Sequence, residues 1–83
     1  MSNRDLIGEV SHYYGNIGVA VIDLKNSLKT GERIKFLGKT TEFEQEVGSM
    51  EIERKKVNEA PAGSSVGMRV EQKAKKGCKV YRA

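Results

Sequence analysis

Apolar and polar residues alternate with period two along most of this chain. From Leu6 to Tyr14 the alternation puts Leu6, Gly8, Val10, His12 and Tyr14 on one face and Ile7, Glu9, Ser11 and Tyr13 on the other, which predicts a strand. Gly15-Asn16 is a turn dipeptide. Ile17 to Leu24 is rich in β-branched residues and apolar on both faces, so it predicts a central strand. Lys25 to Gly31 reads as a loop ending in the β-turn Lys29-Thr30-Gly31-Glu32. Arg33 to Leu37 alternates again, with Ile34 and Phe36 on one face. After a turn at Gly38–Thr40, the segment Thr41 to Val47 sets Phe43, Gln45 and Val47 opposite a solvent-facing row of Glu42, Glu44 and Glu46.

The alternation shifts phase at Gly48-Ser49, because Met50 and Ile52 carry it on, and this predicts a bulge or corner. Val57 to Gly63 reads as a loop holding the single proline, Pro61. Ser65 to Val70 turns Val66, Met68 and Val70 inward, and Gly77 to Tyr81 puts Cys78 and Val80 on one face. Glu51 to Asn58 offers an i,i+4 pair, Glu51 and Lys55, but Met50 and Ile52 alternate and no cap precedes them, so no helix is predicted. The expected fold is all-β: one small antiparallel β-barrel of six or seven strands over residues 1–83, with residues 1–5 as a flexible tail. Val19, Val21, Ile34, Phe36, Val47, Ile52, Val66, Met68 and Val80 are the expected core.

Eighty-three residues leave room for one domain. A barrel suits a chain so short because it leaves few open sheet edges. Charge changes the picture further. Residues 1–53 hold six Lys/Arg against nine Asp/Glu, whereas residues 54–83 hold nine against two. The basic half contains Arg54-Lys55-Lys56 and then Lys73, Lys75 and Lys76, the kind of surface that nucleic-acid phosphates need. By charge alone a plain solvated surface is the simpler reading. Tyr13, Tyr14 and Tyr81 are the candidates for stacking on a base, although amphipathic rings at strand ends read the same way.

Catalytic chemistry finds little to work with. No Gly-rich P-loop is present, so no GTP binding by this chain is expected. His12 has no nucleophile with a glycine elbow beside it, and the glutamate row lacks an apolar pocket. One His and scattered carboxylates make no metal set, and no cofactor is expected. The lone Cys78 reads as a core or strand-edge thiol, and a reducing cytoplasm is the expected compartment. No apolar run approaches a membrane span, and Met1 to Asp5 leads into no signal-peptide pattern, so no membrane partner is expected.

Three segments recur together in one known family: Leu28-x-x-Gly31-Glu32-x-Ile34-x-Phe36-x-Gly38, then Val47-Gly48-Ser49-Met50-Glu51-Ile52-Glu53-Arg54-Lys55-Lys56, then Ala62-Gly63-x-x-Val66-Gly67. In that order and spacing the chain resembles the second, β-barrel domain of translational GTPases such as elongation factor Tu, and the stand-alone elongation-factor-like proteins. It also resembles the C-terminal domain of collagenase-like peptidases. The first resemblance implies contacts to the aminoacylated end of tRNA at the positions of Glu51 and Ser65, with Arg54 and Lys55 as the basic pair beside them. The chain departs from that pattern at Gly15-Asn16-Ile17-Gly18-Val19, which lacks the family's arginine, and in having no GTPase domain.

The expected function is a non-enzymatic module that binds RNA or a ribonucleoprotein, tRNA or rRNA included, through its basic half. The alternative is an adaptor barrel that docks on a peptidase or another enzyme.

Overall fold

The computed structural model describes residues 6–83. The expected tail at residues 1–5 lies outside them. Ten strands follow one another: β1 (Leu6–Tyr14), β2 (Val19–Leu24), β3 (Leu28–Lys29), β4 (Arg33–Leu37), β5 (Glu42–Glu46), β6 (Met50–Ile52), β7 (Lys55–Val57), β8 (Glu59–Ala60), β9 (Ser65–Arg69) and β10 (Lys79–Arg82). Eight form one antiparallel sheet in the order β5-β4-β10-β1-β2-β9-β6-β7, and β3 pairs with β8. The all-β expectation holds. The count of six or seven strands was too low, because β3 and β8 are two-residue ladders inside stretches that read as loops, and β6 and β7 split one segment at a hairpin.

The connections show that the sheet is curled. β5 lies at one edge of the order and β6 is next to the other edge, yet only residues 47–49 join them. Four residue steps span at most roughly 14 Å, so the two edges must approach each other. The corner expected at Gly48 is this crossing. Val47 is pinned there by two backbone bonds, accepting from Gly31 and donating to Glu32, both at 2.8 Å. Across the gap, the side chain of Gln45 in β5 donates to the carbonyl of Arg69 at 3.0 Å and accepts from the N–H of Glu71 at 2.9 Å. The result is an incomplete barrel with Gln45 as a polar clasp inside it.

The core is built as alternation requires from β4 to β6 and in β9 and β10. Ile34, Phe36, Phe43, Val47, Met50, Val66, Met68 and Val80 are buried, and the rings of Phe36 and Phe43 stack at 4.7 Å. Leu28 and Ala60, paired in the β3–β8 ladder, are fully buried at the barrel's end.

Two strands depart from the expected phase. In β1 the register slips at Ile7 against β10 and again at Ser11 against β2. Each slip inserts one residue, so Ile7, Val10 and Tyr13 face the core at spacing three instead of alternating. In β2 the buried residues are Ala20, Ile22 and Leu24, so Val19 and Val21 point outward and are half-buried, not core. The reason is pairing: Ala20 lies opposite Met68 and Ile22 opposite Val66, the inward residues of β9. Ile52 is half-buried and packs against the core from its margin.

Candidate interaction surface

The outward phase of β2 creates the most distinctive surface of the molecule. Directly opposite residues of an antiparallel ladder share a face. Val21 of β2, Gly67 of β9 and Glu51 of β6 therefore form one row across the outside of the sheet. Val19 lies opposite Arg69 in the next outward row. The β1–β2 turn adds Ile17, where Ile17 and Gly18 both donate to the Tyr14 carbonyl and Gly18 takes a φ of 68°. Tyr14 and Ile17 are 48% and 54% exposed, and among the described residues they are the large apolar side chains left most open to water.

Two adjoining hollows of about 290 and 460 Å³ run over this face and share Ile17, Val19, Glu51 and Gly67. Tyr14, Val21, Ser65, Glu53 and Arg54 complete the larger one. Glu53 and Arg54 reach it because the β6–β7 hairpin turns through both residues in left-handed backbone, with φ of 51° and 68°. The Ser65 hydroxyl donates to the Asp23 carboxylate at 2.7 Å, which fixes its orientation at the groove's end.

Four of the sequence candidates thus converge: Glu51, Ser65, Arg54 and Tyr14. The others are placed elsewhere. Lys55 and Lys56 lie on β7, where Lys56, not Lys55, sits opposite Glu51. Lys73, Lys75 and Lys76 lie in the connection from β9 to β10. There Lys75 and Lys76 share a cleft of about 460 Å³ with Lys39, Thr40 and Thr41 of the β4–β5 turn. Tyr13 packs against the core and Tyr81 is half-buried on β10, so of the three tyrosines Tyr14 is the exposed one. Its ring lies 6.2 Å from that of His12. Val19, Val21, Ile17 and Gly67 were missed as surface residues. A strand apolar in both phases conceals which side faces out, and a glycine mid-strand was the available signal for the groove.

The charges divide in the same way. The ion pairs among the described residues are Arg33–Glu44 at 3.1 Å, Lys35–Glu42 at 3.2 Å, Lys79–Glu9 at 2.7 Å, and Arg82–Glu32. None includes Glu51, Glu53, Arg54 or Arg69. Lys79, hydrogen-bonded to Glu9, holds that carboxyl below the usual glutamate value. Cys78 is buried while His12 is exposed. Among the described residues no cluster of three His, Cys, Asp or Glu side chains gathers to hold a metal, and no helix is long and apolar enough to cross a membrane.

Residues 2–78 match the family described as the peptidase family U32 C-terminal domain. The chain belongs to that family. A relative, an uncharacterized protease of Methanocaldococcus jannaschii, is 40% identical over 76 residues, which is 90% of this chain and 19% of the relative. The chain therefore spans about a fifth of that protein. Its fold is shared with the crystal structure of the C-terminal domain of a Geobacillus thermoleovorans protein described as a U32 peptidase. The TM-score is 0.91 at 19% identity, over 100% of this chain and 97% of that one. The selenomethionine form of that domain gives 0.89 at 20% identity, over 95% and 100% of the two chains. Of the two resemblances in the sequence, the peptidase one is supported by these comparisons.

Proposed function

We propose that this chain is the non-catalytic barrel of a U32-type peptidase system, a binding module that docks on the peptidase body. The observation that carries this reading is the 40%-identical segment that makes up only 19% of a protein named as a protease. The chemistry is consistent with it: the groove offers apolar side chains and mixed charge, and its lining holds no His or Cys. The test is association in trans. The chain is titrated into the M. jannaschii relative from which the matched segment has been deleted, after circular dichroism has checked that the remainder is folded. Micromolar binding, little changed by salt, supports docking. No association up to about 100 µM rejects docking in trans.

A second reading rests on the cleft of Lys39, Lys75 and Lys76. Among the described residues none of these lysines is in an ion pair, and Thr40 and Thr41 add hydroxyl groups. Such a cleft can hold phosphates of RNA, the partner class that the basic half of the sequence suggested.

A further inference from the structure

Gly67 is a residue whose identity the domain itself does not require. It lies in the middle of β9, paired on both sides, and its φ is not in the left-handed region. A Cβ built there would meet only Val19 Cγ1, at 3.7 Å, which is ordinary contact. Gly8 and Gly38 differ. A Cβ at Gly8 would lie 2.3 Å from the Asp23 carbonyl oxygen, and one at Gly38 would lie 2.8 Å from Cys78 Sγ. Glycine weakens a strand interior and marks a bulge, a barrel bend or a close approach to the backbone; the register of β2 on β9 runs unbroken through Gly67, so no bulge claims it.

The missing side chain leaves a notch in the outer row between Val21 and Glu51, with Ser65 and Arg69 flanking it along β9. The floor is flat peptide backbone. Val19, Val21, Ile17 and Tyr14 supply apolar walls, and Ile17 and Tyr14 are the most exposed large apolar side chains among the described residues. We propose that this notch receives one large apolar side chain, an aromatic ring by preference, from an extended segment of the peptidase body. This rests on the reading of the chain as a peptidase-associated barrel. A ring laid over a sheet glycine replaces the contacts that the glycine lacks. The rim selects protein over polyanion, because Glu51 and Glu53 meet an incoming group together with Arg54 and Arg69. Mixed signs with no net charge complement a mixed protein surface and offer a phosphate backbone no net attraction. The relative's remaining four-fifths is the chain that would supply the segment.

The test separates fold, notch and partner. Amide NMR of the 83-residue chain is recorded with N-acetyl-tryptophanamide, N-acetyl-lysinamide and AMP. Gly67→Ala and Gly67→Val are then compared with the parent in thermal melting and in binding to the relative's remainder. The proposal expects the indole amide to shift Val19, Val21, Glu51 and Gly67, and the lysine amide to leave them. It expects both variants to melt at or above the parent temperature while binding to the remainder weakens by roughly tenfold or more, as when a central pocket is filled. A lower melting temperature for Gly67→Ala overturns it, because the glycine then serves the fold. Unchanged binding by Gly67→Val overturns it and leaves the accessory reading standing. A preference for AMP overturns the occupant in favour of a nucleobase. Indole binding without association to the remainder overturns the proposed occupant together with the accessory reading and leaves only an apolar notch.

Discussion

The side-chain amide of Gln45 donates to the backbone carbonyl of Arg69 at 3.0 Å, across the gap between β5 and the end of β9. Gln45 is only 4% exposed, and its carbonyl oxygen accepts from Glu71 as well. Replacing it with Leu preserves volume but leaves a carbonyl and an N–H in the clasp without partners. Each buried orphan costs about 1–3 kcal/mol, so Gln45→Leu should lose about 2–4 kcal/mol in urea unfolding. Gln45→Glu should lose part of this at neutral pH, because a carboxylate cannot donate to Arg69. The introduced carboxyl favours its protonated form in the fold, so its pKa is raised and stability should recover as pH falls. A variant indifferent to pH would mean that the clasp does not close the barrel.

The stacked rings of Phe36 and Phe43 are directly opposite in the β4–β5 ladder and 4.7 Å apart. Phe36 is fully buried. Phe36→Ala should cost about 3–5 kcal/mol, which is comparable with the whole stability of so small a domain. Melting followed by circular dichroism checks this, and an unchanged transition would place Phe36 outside the core.

Two glycines should refuse alanine for different reasons. At Gly8 the obstacle is backbone, the Asp23 carbonyl oxygen at 2.3 Å from the new Cβ, so Gly8→Ala should cost about 3 kcal/mol or more by forcing β1 and β2 apart. At Gly38 the obstacle is the Cys78 sulfur at 2.8 Å. Gly38→Ala should cost about 1–3 kcal/mol, and much less in a Cys78→Ala background where the sulfur is gone. A double-mutant cycle reads that coupling directly. Additive losses would show that the two positions do not share the space.

Most of the strands were legible because one buried face imposes period two, as Ile34 and Phe36 or Val66 and Met68 show. The corner at Gly48 was legible as a shift of phase. β1 was misread because its two register slips leave no mark in composition, so Ile7 and Val10 are both buried although strict alternation sets them on opposite faces. β2 was misread because Val19, Ala20, Val21 and Ile22 are all apolar. The inward phase is chosen by which residues of β9 they meet, and that is a long-range fact. The same ambiguity hid the groove. Glu51, Ser65 and Arg54 were singled out from a family likeness, and they do line one surface, but Val19 and Val21 of its apolar walls were assigned to the core.

Glu9 and Lys79 are opposite in the β1–β10 ladder and hydrogen-bond at 2.7 Å. That bond lowers the Glu9 carboxyl below its usual value of 4.5. A carboxyl lowered in the fold contributes stability above its unfolded pKa and loses it as pH falls through the folded one. The loss therefore belongs to the acid range below 4.5. Glu9→Gln should melt with a shallower dependence on pH there, and the difference from the parent should shrink at high salt because the pair is solvent-exposed. Parallel melting curves across the acid range would show that the pair contributes nothing.

Salt separates the two partner classes. Phosphate contacts release counterions, so affinity for RNA falls steeply with salt, whereas docking through the Tyr14–Ile17–Gly67 face does not. If the cleft of Lys39, Lys75 and Lys76 holds phosphates, labelled tRNA should bind on the order of 10⁻⁴–10⁻⁶ M near physiological salt and without sequence preference. Lys75→Glu with Lys76→Glu should then weaken binding and flatten the plot of log affinity against log salt by roughly one unit per lost contact. Glu51→Gln, which lies on the other groove, should leave tRNA binding alone. The reverse pattern, with tRNA binding sensitive to Glu51 and indifferent to the lysines, would move any RNA site to the outer groove. No binding at high micromolar protein and low salt would remove RNA from the reading and leave docking on the peptidase body.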